Sequence, residues 1–186
     1  MDLGRLLLRL TIGGTFVVHG TQKLFGWFEG YGPDGTGEFF ESLGLRPGRR
    51  NAIAAGATET SCGILIALGL ATPLAAAGLS SVMITALRTA IWNEGIKPAT
   101  GEHEVLLAVA ALALTETGPG APSLDSALEL DCNGPAWMLV ALGAGAAGST
   151  AAIEMGRRHA TTPEPAPEAE APTTPETPPG PAAHTS

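Results

Sequence analysis

The chain has 186 residues, of which 45% are hydrophobic and 15% are charged, and its formal net charge is −8. The charged fraction lies well below the roughly 25% of soluble domains, and the mean hydropathy is positive at +0.21. These values favour a small membrane protein, and the absence of a basic patch from the sequence argues against nucleic-acid binding.

The first predicted membrane span covers residues 4–24, an apolar run that contains Arg5, Arg9, His19 and Lys23. Apolar runs of about 18 residues or more are typical of transmembrane helices. At 100° per residue the four side chains fall within roughly an 80° arc. Because charges that face lipid are costly, we expect this polar stripe to face neighbouring helices. The run is too long for a cleaved signal peptide, so we expect it to be retained.

The polar connection after this span has a short amphipathic pattern at residues 38–43. The second and third predicted spans cover residues 51–70 and 74–92. Their connection is so short that the two helices must be antiparallel neighbours. We expect Thr72 to cap the third span, with a proline following in the first helical turn.

Residues 102–117 are predicted as a fourth span, although the strictly apolar part, residues 105–114, is short for a hydrocarbon core of about 30 Å. Its polar ends must therefore also enter the membrane and face the bundle. Residues 135–155 form a fifth apolar run, rich in glycine and alanine. Gly145 and Ser149 have a small-xxx-small spacing that favours close helix contact.

These elements predict an all-α fold, a transmembrane four-helix bundle with a fifth transmembrane helix and a disordered C-terminal tail. The predicted four-helix domain covers residues 1–134, and the fifth helix covers residues 135–158. Residues 159–186 are rich in Pro, Glu, Thr and Ala and have almost no apolar bulk, so we expect them to be disordered.

The distribution of basic residues predicts the orientation in the membrane. With five spans, eight basic residues share one side: Lys23, Arg46, Arg49, Arg50, Arg88, Lys97, Arg157 and Arg158. Only Arg5 and Arg9 fall on the other side. The positive-inside rule then places the N-terminus outside and the tail in the cytoplasm. With only four spans, the last two arginines would lie on the wrong side, so the pattern favours five.

The estimated depths of the polar side chains predict which of them meet. A rise of about 1.5 Å per residue places His19 and Glu59 at the same depth, so we expect them to pair directly or through one water. The pair would either pass a proton or fix the helix register.

Two further clusters are expected at the helix ends. The inner cluster combines Lys23, Arg88, Trp92, Glu102 and His103. The outer cluster brings Arg5 and Arg9 near Glu116. Each cluster either belongs to a working site or only neutralises charge where the helices end.

The sequence contains no strong cofactor signal. Cys62 and Cys132 form no CxxC pair, so neither a dithiol centre nor a metal site is expected. His19 and His103 lie at similar depth, but two histidines without other signals are weak evidence, and haem is not expected. No P-loop, dinucleotide fingerprint, GxSxG or HExxH motif is present, which argues against a self-contained enzyme and leaves an enzymatic role as a subunit open.

Several blocks of the sequence carry a resemblance to a known family. They are GRLLLR at residues 4–9, HGTQKLFG at 19–26, FFESLGL at 39–45, Glu59, LGLAT at 68–72, Glu102, GPG at 118–120 and SLD at 123–125. Over about residues 3–125 the chain resembles the DoxX family of small bacterial membrane proteins. The block at the end of the first span is its most specific part.

The resemblance implies a four-helix core in the bacterial cytoplasmic (inner) membrane and an accessory or subunit role in a membrane-associated oxidoreductase system. The family takes its name from a subunit of a thiosulfate:quinone oxidoreductase, and relatives are linked to oxidative and thiol stress. A quinone ligand and redox-enzyme partners are thereby implied, while oligomerisation stays open. The alternative is a non-catalytic scaffold or a small-solute permeation protein.

The resemblance also implies a polar core of six side chains: Arg9, His19, Gln22, Lys23, Glu59 and Glu102. Arg88 and His103 join these candidates from the depth estimate. The chain departs from the family pattern where the fourth span opens, because His103 follows Glu102 at a position where an aromatic residue is expected. The fifth span and the acidic tail are additions that suggest an extension facing a partner.

Overall fold

The computed structural model describes residues 2–95 and 100–161, with side chains as far as His159. The helices in this part are α1 (Leu3–Phe25), α2 (Gly32–Ser42), α3 (Gly48–Leu68), α4 (Thr72–Glu94), α5 (Glu102–Thr117), α6 (Leu124–Ala127) and α7 (Pro135–Thr161). The predicted all-α fold, with four core helices and a fifth long helix, is confirmed. The disordered tail was predicted for residues 159–186, but residues 159–161 belong to α7. Lys97 and residues 162–186 lie outside the described residues.

The core bundle consists of α1, α3, α4 and α5, and consecutive members pack side by side. Contacts between α1 and α5 close the bundle, and α7 packs outside it against α4 and α5. The core side chains are mostly aliphatic and include Ile12, Phe16, Ile66, Leu79 and Leu114. We name the two ends of the bundle after polar residues, the Asp125 end, where α1 begins, and the Lys23 end, where α1 finishes.

Helix length and composition identify a membrane protein. Three helices, α3, α4 and α7, are long and apolar enough to cross a membrane. With 23 residues, α1 has the length but carries internal charges, whereas α5 has 16 residues, fewer than the roughly 20 that a span needs. Large apolar side chains are exposed on the outer faces of α1, α5 and α7, where lipid would cover them: Leu7, Leu10, Leu106, Val109, Leu139 and Val140.

Several helix boundaries differ from the sequence prediction. The helix expected at residues 38–43 is α2, which begins six residues earlier, and α7 continues beyond residue 155 to Thr161. Thr72 is already helical, and Ala71 precedes it as the N-cap residue. A carboxylate 53 residues further along the chain accepts the hydrogen bond from the Thr72 amide, and no local sequence pattern would reveal that partner.

The fifth helix packs closely against α4, as its small residues predict. A side-chain carbon added at Gly145 would lie 2.8 Å from Cβ of Ser80, so only glycine allows this approach. One turn later, Ser149 is fully buried in the same contact. The small-xxx-small spacing therefore holds α7 against α4.

Facing glycines also bring α1 and α3 together. A Cβ atom at Gly13 would lie 2.5 Å from the carbonyl oxygen of Gly63, and one at Gly20 would lie 2.6 Å from that of Gly56. These are backbone contacts, so a larger residue would force the two helices apart. By contrast, a Cβ at Gly14, on another face of α1, would meet nothing within 4 Å.

We expect Gly20→Ala to lower the free energy of unfolding by about 1–3 kcal/mol, because the added methyl group overpacks the helix contact. Gly14→Ala is the matched control, and it should be neutral or stabilising by up to about 1 kcal/mol through helix propensity. Unfolding of both purified variants in the same detergent measures the difference. Equal stability of the two variants would contradict the close contact.

Candidate functional site

A buried ion pair links α1 to α3 near the Lys23 end. The ammonium group of Lys23 donates a hydrogen bond of 2.6 Å to a carboxylate oxygen of Glu59. The Glu59 side chain is 1% exposed, whereas that of Lys23 is 21% exposed, so only the lysine reaches solvent. The ammonium also lies 3.5 Å from the carbonyl oxygen of His19, one turn earlier in α1. The pair therefore connects the bundle interior to its surface.

Two histidines stack beside this ion pair. The ring centroids of His19 and His103 lie 5.7 Å apart, and their planes are inclined by 29°. The first ring comes from the middle of the polar stripe on α1, and the second from the first turn of α5. His103 is exposed, and His19 is half-buried. Protonation of one ring therefore acts directly on the other and on nearby Lys23 through Coulomb forces.

We define the Lys23 cluster as His19, Gln22, Lys23, Glu59 and His103. A cavity of about 670 Å³ lies beside it. Three members of the cluster line one wall of the cavity. The loop after α1 and helix α2 supply the opposite wall, which includes Tyr31, Glu38, Phe39 and Phe40. The cavity thus joins hydrogen-bond donors to an aromatic surface.

Gln22 shapes the cavity rather than the ion pair. Its amide nitrogen donates a hydrogen bond of 3.1 Å to the carbonyl oxygen of Phe28. This bond holds the turn between α1 and α2 against the end of α1. A Cβ atom at Gly30 would lie 2.6 Å from backbone atoms of Gln22, so the turn packs closely there. Gln22 therefore positions the segment that carries Tyr31.

Two candidates from the sequence lie elsewhere at this end. Glu102 is exposed in the first turn of α5, where its charge complements the helix dipole. Arg88 turns toward α7 and donates a hydrogen bond of 3.1 Å to the Thr150 hydroxyl group. The expected inner cluster of five side chains is therefore not assembled as one group. Glu104, which the sequence prediction omitted, is the acidic side chain that acts on His19.

The predicted pair of His19 and Glu59, direct or bridged by one water, is not present in its direct form. In the part of the chain that the structure describes, Glu59 accepts its hydrogen bond from Lys23, and His19 stacks on His103. The depth estimate placed His19 and Glu59 within one helical turn of each other. Lys23 lies one turn further along the same face, and its longer side chain reaches the carboxylate.

A second polar group, at the Asp125 end, fastens the loop after α5 to the bundle. The buried carboxylate of Asp125 accepts hydrogen bonds from the amide of Ala71 at 2.7 Å and from the hydroxyl group of Thr72 at 2.8 Å. Its own amide donates to the carbonyl oxygen of Gly69 at 2.8 Å. These bonds fix the turn between α3 and α4. We name Asp125, its partners Gly69, Ala71 and Thr72, and the nearby Arg9 the Asp125 clasp.

Arg9 belongs to the Asp125 clasp. It is 2% exposed, and its Nη2 atom donates a hydrogen bond of 2.5 Å to the carbonyl oxygen of Pro122. The predicted contact of Arg5 and Arg9 with Glu116 is not present among the described residues, where Arg5 instead pairs with Asp2 at 3.7 Å. The loop after α5 folds back over the start of α1. Its Pro122 carbonyl oxygen, rather than the expected Glu116 carboxylate, accepts the hydrogen bond from Arg9.

The polar core that the resemblance implies is divided between two separate groups in the structure. Arg9 and Lys23 are 14 residues apart on one helix, which corresponds to about 21 Å along its axis. Arg9 lies in the Asp125 clasp, whereas Lys23 lies beside the cavity. A second cavity, of about 550 Å³, lies at the Asp125 end, and the charged side chains that line it are Asp2, Arg5, Asp125, Glu129 and Asp131. No described residue that lines that cavity is aromatic, whereas the cavity at the Lys23 end places His19 and Lys23 opposite an aromatic surface.

Metal ligands are not gathered in the described ranges, 2–95 and 100–161. No group of three or more His, Cys, Asp or Glu side chains there could hold a metal ion. Cys62 and Cys132 are both free thiols. We take the cavity at the Lys23 end as the candidate site because it combines hydrogen-bond donors with an aromatic surface.

Comparison with known proteins agrees with this architecture. The family model described as DoxX matches residues 4–92. The chain is 32% identical over 124 residues to a Bacillus subtilis (strain 168) protein described as "Putative oxidoreductase CatD". The match covers 67% of this chain and 86% of that protein. No solved structure matches the chain.

Proposed function

This chain belongs to the DoxX family, and on that premise we propose that it is a membrane subunit or accessory of an oxidoreductase system. We further propose that the cavity at the Lys23 end binds the head group of a membrane quinone. The chain would serve as the quinone-facing part of the system, and a partner protein would supply the electrons. The oxidoreductase description of the Bacillus subtilis relative supports the redox class.

The observation that carries this proposal is the cavity of about 670 Å³ beside a buried ion pair. Quinone carbonyl oxygens accept hydrogen bonds, and Lys23 and His19 are donors on the cavity wall. Phe39 and Phe40 offer ring faces for the flat head group. A volume of this size lies within the range of small-molecule sites.

The same side chains suit the proton chemistry of the proposed substrate. Reduction of a quinone to a quinol takes up two electrons and two protons, one proton on each oxygen. His19 is placed to donate a proton at the cavity wall, and Lys23 with Glu59 forms a short path from the bundle interior to the same wall. In this scheme the chain binds the head group and moves protons.

We also propose that the Lys23 end faces the cytoplasm of a bacterial inner membrane. Five described basic residues support this orientation, since they lie at that end: Arg46, Arg49, Arg50, Arg157 and Arg158. The positive-inside rule relates such an excess to the cytoplasmic side. Electrons would then reach the cavity from a cytoplasmic partner.

A scaffold role is the second candidate, and one observation favours it. The Lys23–Glu59 pair neutralises itself, so its charges hold α1 and α3 together without any ligand. In that case the cavity would be only the gap between α1 and α2. Substitutions that preserve folding separate the two candidates.

We expect Glu59→Gln and His19→Gln to insert normally and to abolish resistance to redox stress in cells that lack the native copy, a loss far larger than any fall in protein abundance. General acid–base groups contribute about 10²–10⁴-fold to rate, so a loss of this size is expected in the coupled activity. Resistance and abundance are measured together in each strain. Activity that falls only in proportion to abundance would instead support the scaffold.

Matched controls replace the same residue types elsewhere. Glu94→Gln alters an exposed carboxylate at the end of α4, and His159→Gln alters an exposed imidazole on α7. Both should retain full resistance. Full resistance of the Glu59 and His19 variants at normal abundance would remove the Lys23 cluster from the mechanism.

A further inference from the structure

A tryptophan lies between two arginines where α4 and α7 meet at the Lys23 end. The guanidinium carbon of Arg88 is 5.6 Å from the centre of the Trp92 ring system, and that of Arg157 is 4.8 Å away. Both distances fall within the range of cation–π attraction. Trp92 is 49% exposed, so the two positive groups gather around an accessible ring. We name these three residues the Trp92 site.

The positive charges of the Trp92 site have no carboxylate partner in the described ranges. Arg88 donates only to the hydroxyl groups of Ser149 and Thr150, at 3.5 and 3.1 Å, and both bonds use one nitrogen, Nη1. Glu154, which precedes Arg157 by less than one turn, instead pairs with Arg158 at 3.3 Å. Two guanidinium groups therefore remain available to an external anion.

The position of the Trp92 site near the end of a helix is typical of the lipid head-group region. Trp92 lies two residues before Glu94, the last residue of α4, and tryptophan is enriched at membrane interfaces. The turn before α3 approaches α7 at the same level, since a Cβ at Gly156 would lie 3.4 Å from the amide nitrogen of Arg46. Long arginine side chains at such positions extend toward the interface. An anion bound here would lie at the membrane surface.

We propose that Arg88, Trp92 and Arg157 bind the phosphate group of an anionic phospholipid. A guanidinium group forms paired hydrogen bonds with phosphate oxygens, and the indole ring holds the two guanidinium groups in place. Basic pockets between transmembrane helices are typical sites for anionic head groups. The exposed side chain of Met155 on α7 offers apolar contact for an acyl chain, which a free phosphate ion lacks. This proposal is independent of quinone binding.

The test compares two lipids on the full-length purified protein by native mass spectrometry. Phosphatidylglycerol and phosphatidylcholine with the same acyl chains are added in turn. The native protein should retain phosphatidylglycerol preferentially. Arg157→Gln should weaken that retention about fivefold, which corresponds to about 1 kcal/mol per basic residue at an anionic surface. Phosphatidylcholine retention and thermal stability should not change, because Arg157 is exposed.

Two variants distinguish a shaped site from general charge attraction. Arg50→Gln removes one exposed positive charge at the same end and should leave the lipid preference intact. Trp92→Leu keeps both arginines, and it should weaken phosphatidylglycerol retention because the guanidinium groups lose their support. An unchanged preference in Arg157→Gln would overturn the proposal, as would an equal loss in Arg50→Gln. Displacement of the lipid by an equal concentration of inorganic phosphate would indicate a free-anion site and overturn the lipid assignment.

Discussion

Lys23→Met is expected to lower the free energy of unfolding by about 3–5 kcal/mol, because it leaves the buried Glu59 carboxylate without its positive partner. The Glu59 side chain is 1% exposed and accepts its hydrogen bond from this lysine. Equilibrium unfolding of the purified protein in mild detergent measures the loss.

The two partners should differ in their effects. Glu59→Gln leaves the Lys23 ammonium, which is 21% exposed on its side chain and reaches solvent, so the cost is expected to be smaller. The double variant, Lys23→Met with Glu59→Gln, removes both charges and should recover most of the stability lost in Lys23→Met. If the double variant loses as much unfolding free energy as the two single variants added together, the pair contributes no coupling energy.

The second large effect is expected at the Asp125 end of the bundle. There, Asp125→Ala should lower the free energy of unfolding by about 3 kcal/mol or more. The substitution removes the acceptor of three hydrogen bonds from Ala71 and Thr72. Hydrogen bonds to charged groups contribute about 1.5–3 kcal/mol each, and the two amides would be left without this acceptor. The negative charge that attracts buried Arg9 would disappear as well. Thermal unfolding of the purified variant checks this expectation.

Asp131→Ala is the matched control, since it removes an exposed carboxylate from the same loop. It should change the free energy of unfolding by less than about 0.5 kcal/mol. The loss of unfolding free energy in Asp125→Asn should lie between those of Asp131→Ala and Asp125→Ala, because the amide side chain keeps one acceptor oxygen but carries no charge. If Asp131→Ala proves as damaging as Asp125→Ala, the loop matters through its net charge rather than through the clasp.

Local patterns in the sequence were sufficient to identify the helices. The fourth predicted span coincides with α5, residues 102–117, and the fifth begins at Pro135 as predicted. Helix formation and termination follow from apolar runs and turn residues that are close along the chain, so the helices can be predicted without tertiary structure. The small residues of α7 also indicated its close contact with α4, where Gly145 lies against Ser80.

Which polar side chains pair with one another was harder to predict from the sequence. Depth along a helix follows from a constant rise, which gives His19 and Glu59 similar depths and puts Lys23 one turn beyond His19. The choice between His19 and Lys23 depends on side-chain length and on the rotation of α1 against α3, which the glycine contacts set. Depth alone cannot distinguish two donors one turn apart.

The Asp125 clasp depends on the path of an irregular loop. The SLD block at residues 123–125 begins with Ser123, whose side chain accepts a hydrogen bond from the amide of Ser126. Its partners, Ala71 and Thr72, lie more than 50 residues earlier. No periodicity relates such segments. The position of Arg88 toward α7 was missed for a similar reason, because the packing side of the fifth helix was unknown.

The Lys23–Glu59 pair has a consequence for the order in which the protein is made. Lys23 emerges from the ribosome 36 residues before Glu59, so α1 reaches the translocon while its lysine has no counter-charge. A basic residue at the centre of an isolated transmembrane helix costs about 2.5–3.5 kcal/mol, and less near the ends, where it extends toward the interface. Synthesis of α3 supplies the carboxylate that removes this cost. α1 is therefore best accommodated in the bilayer when it enters with α3 as a helical hairpin during translation.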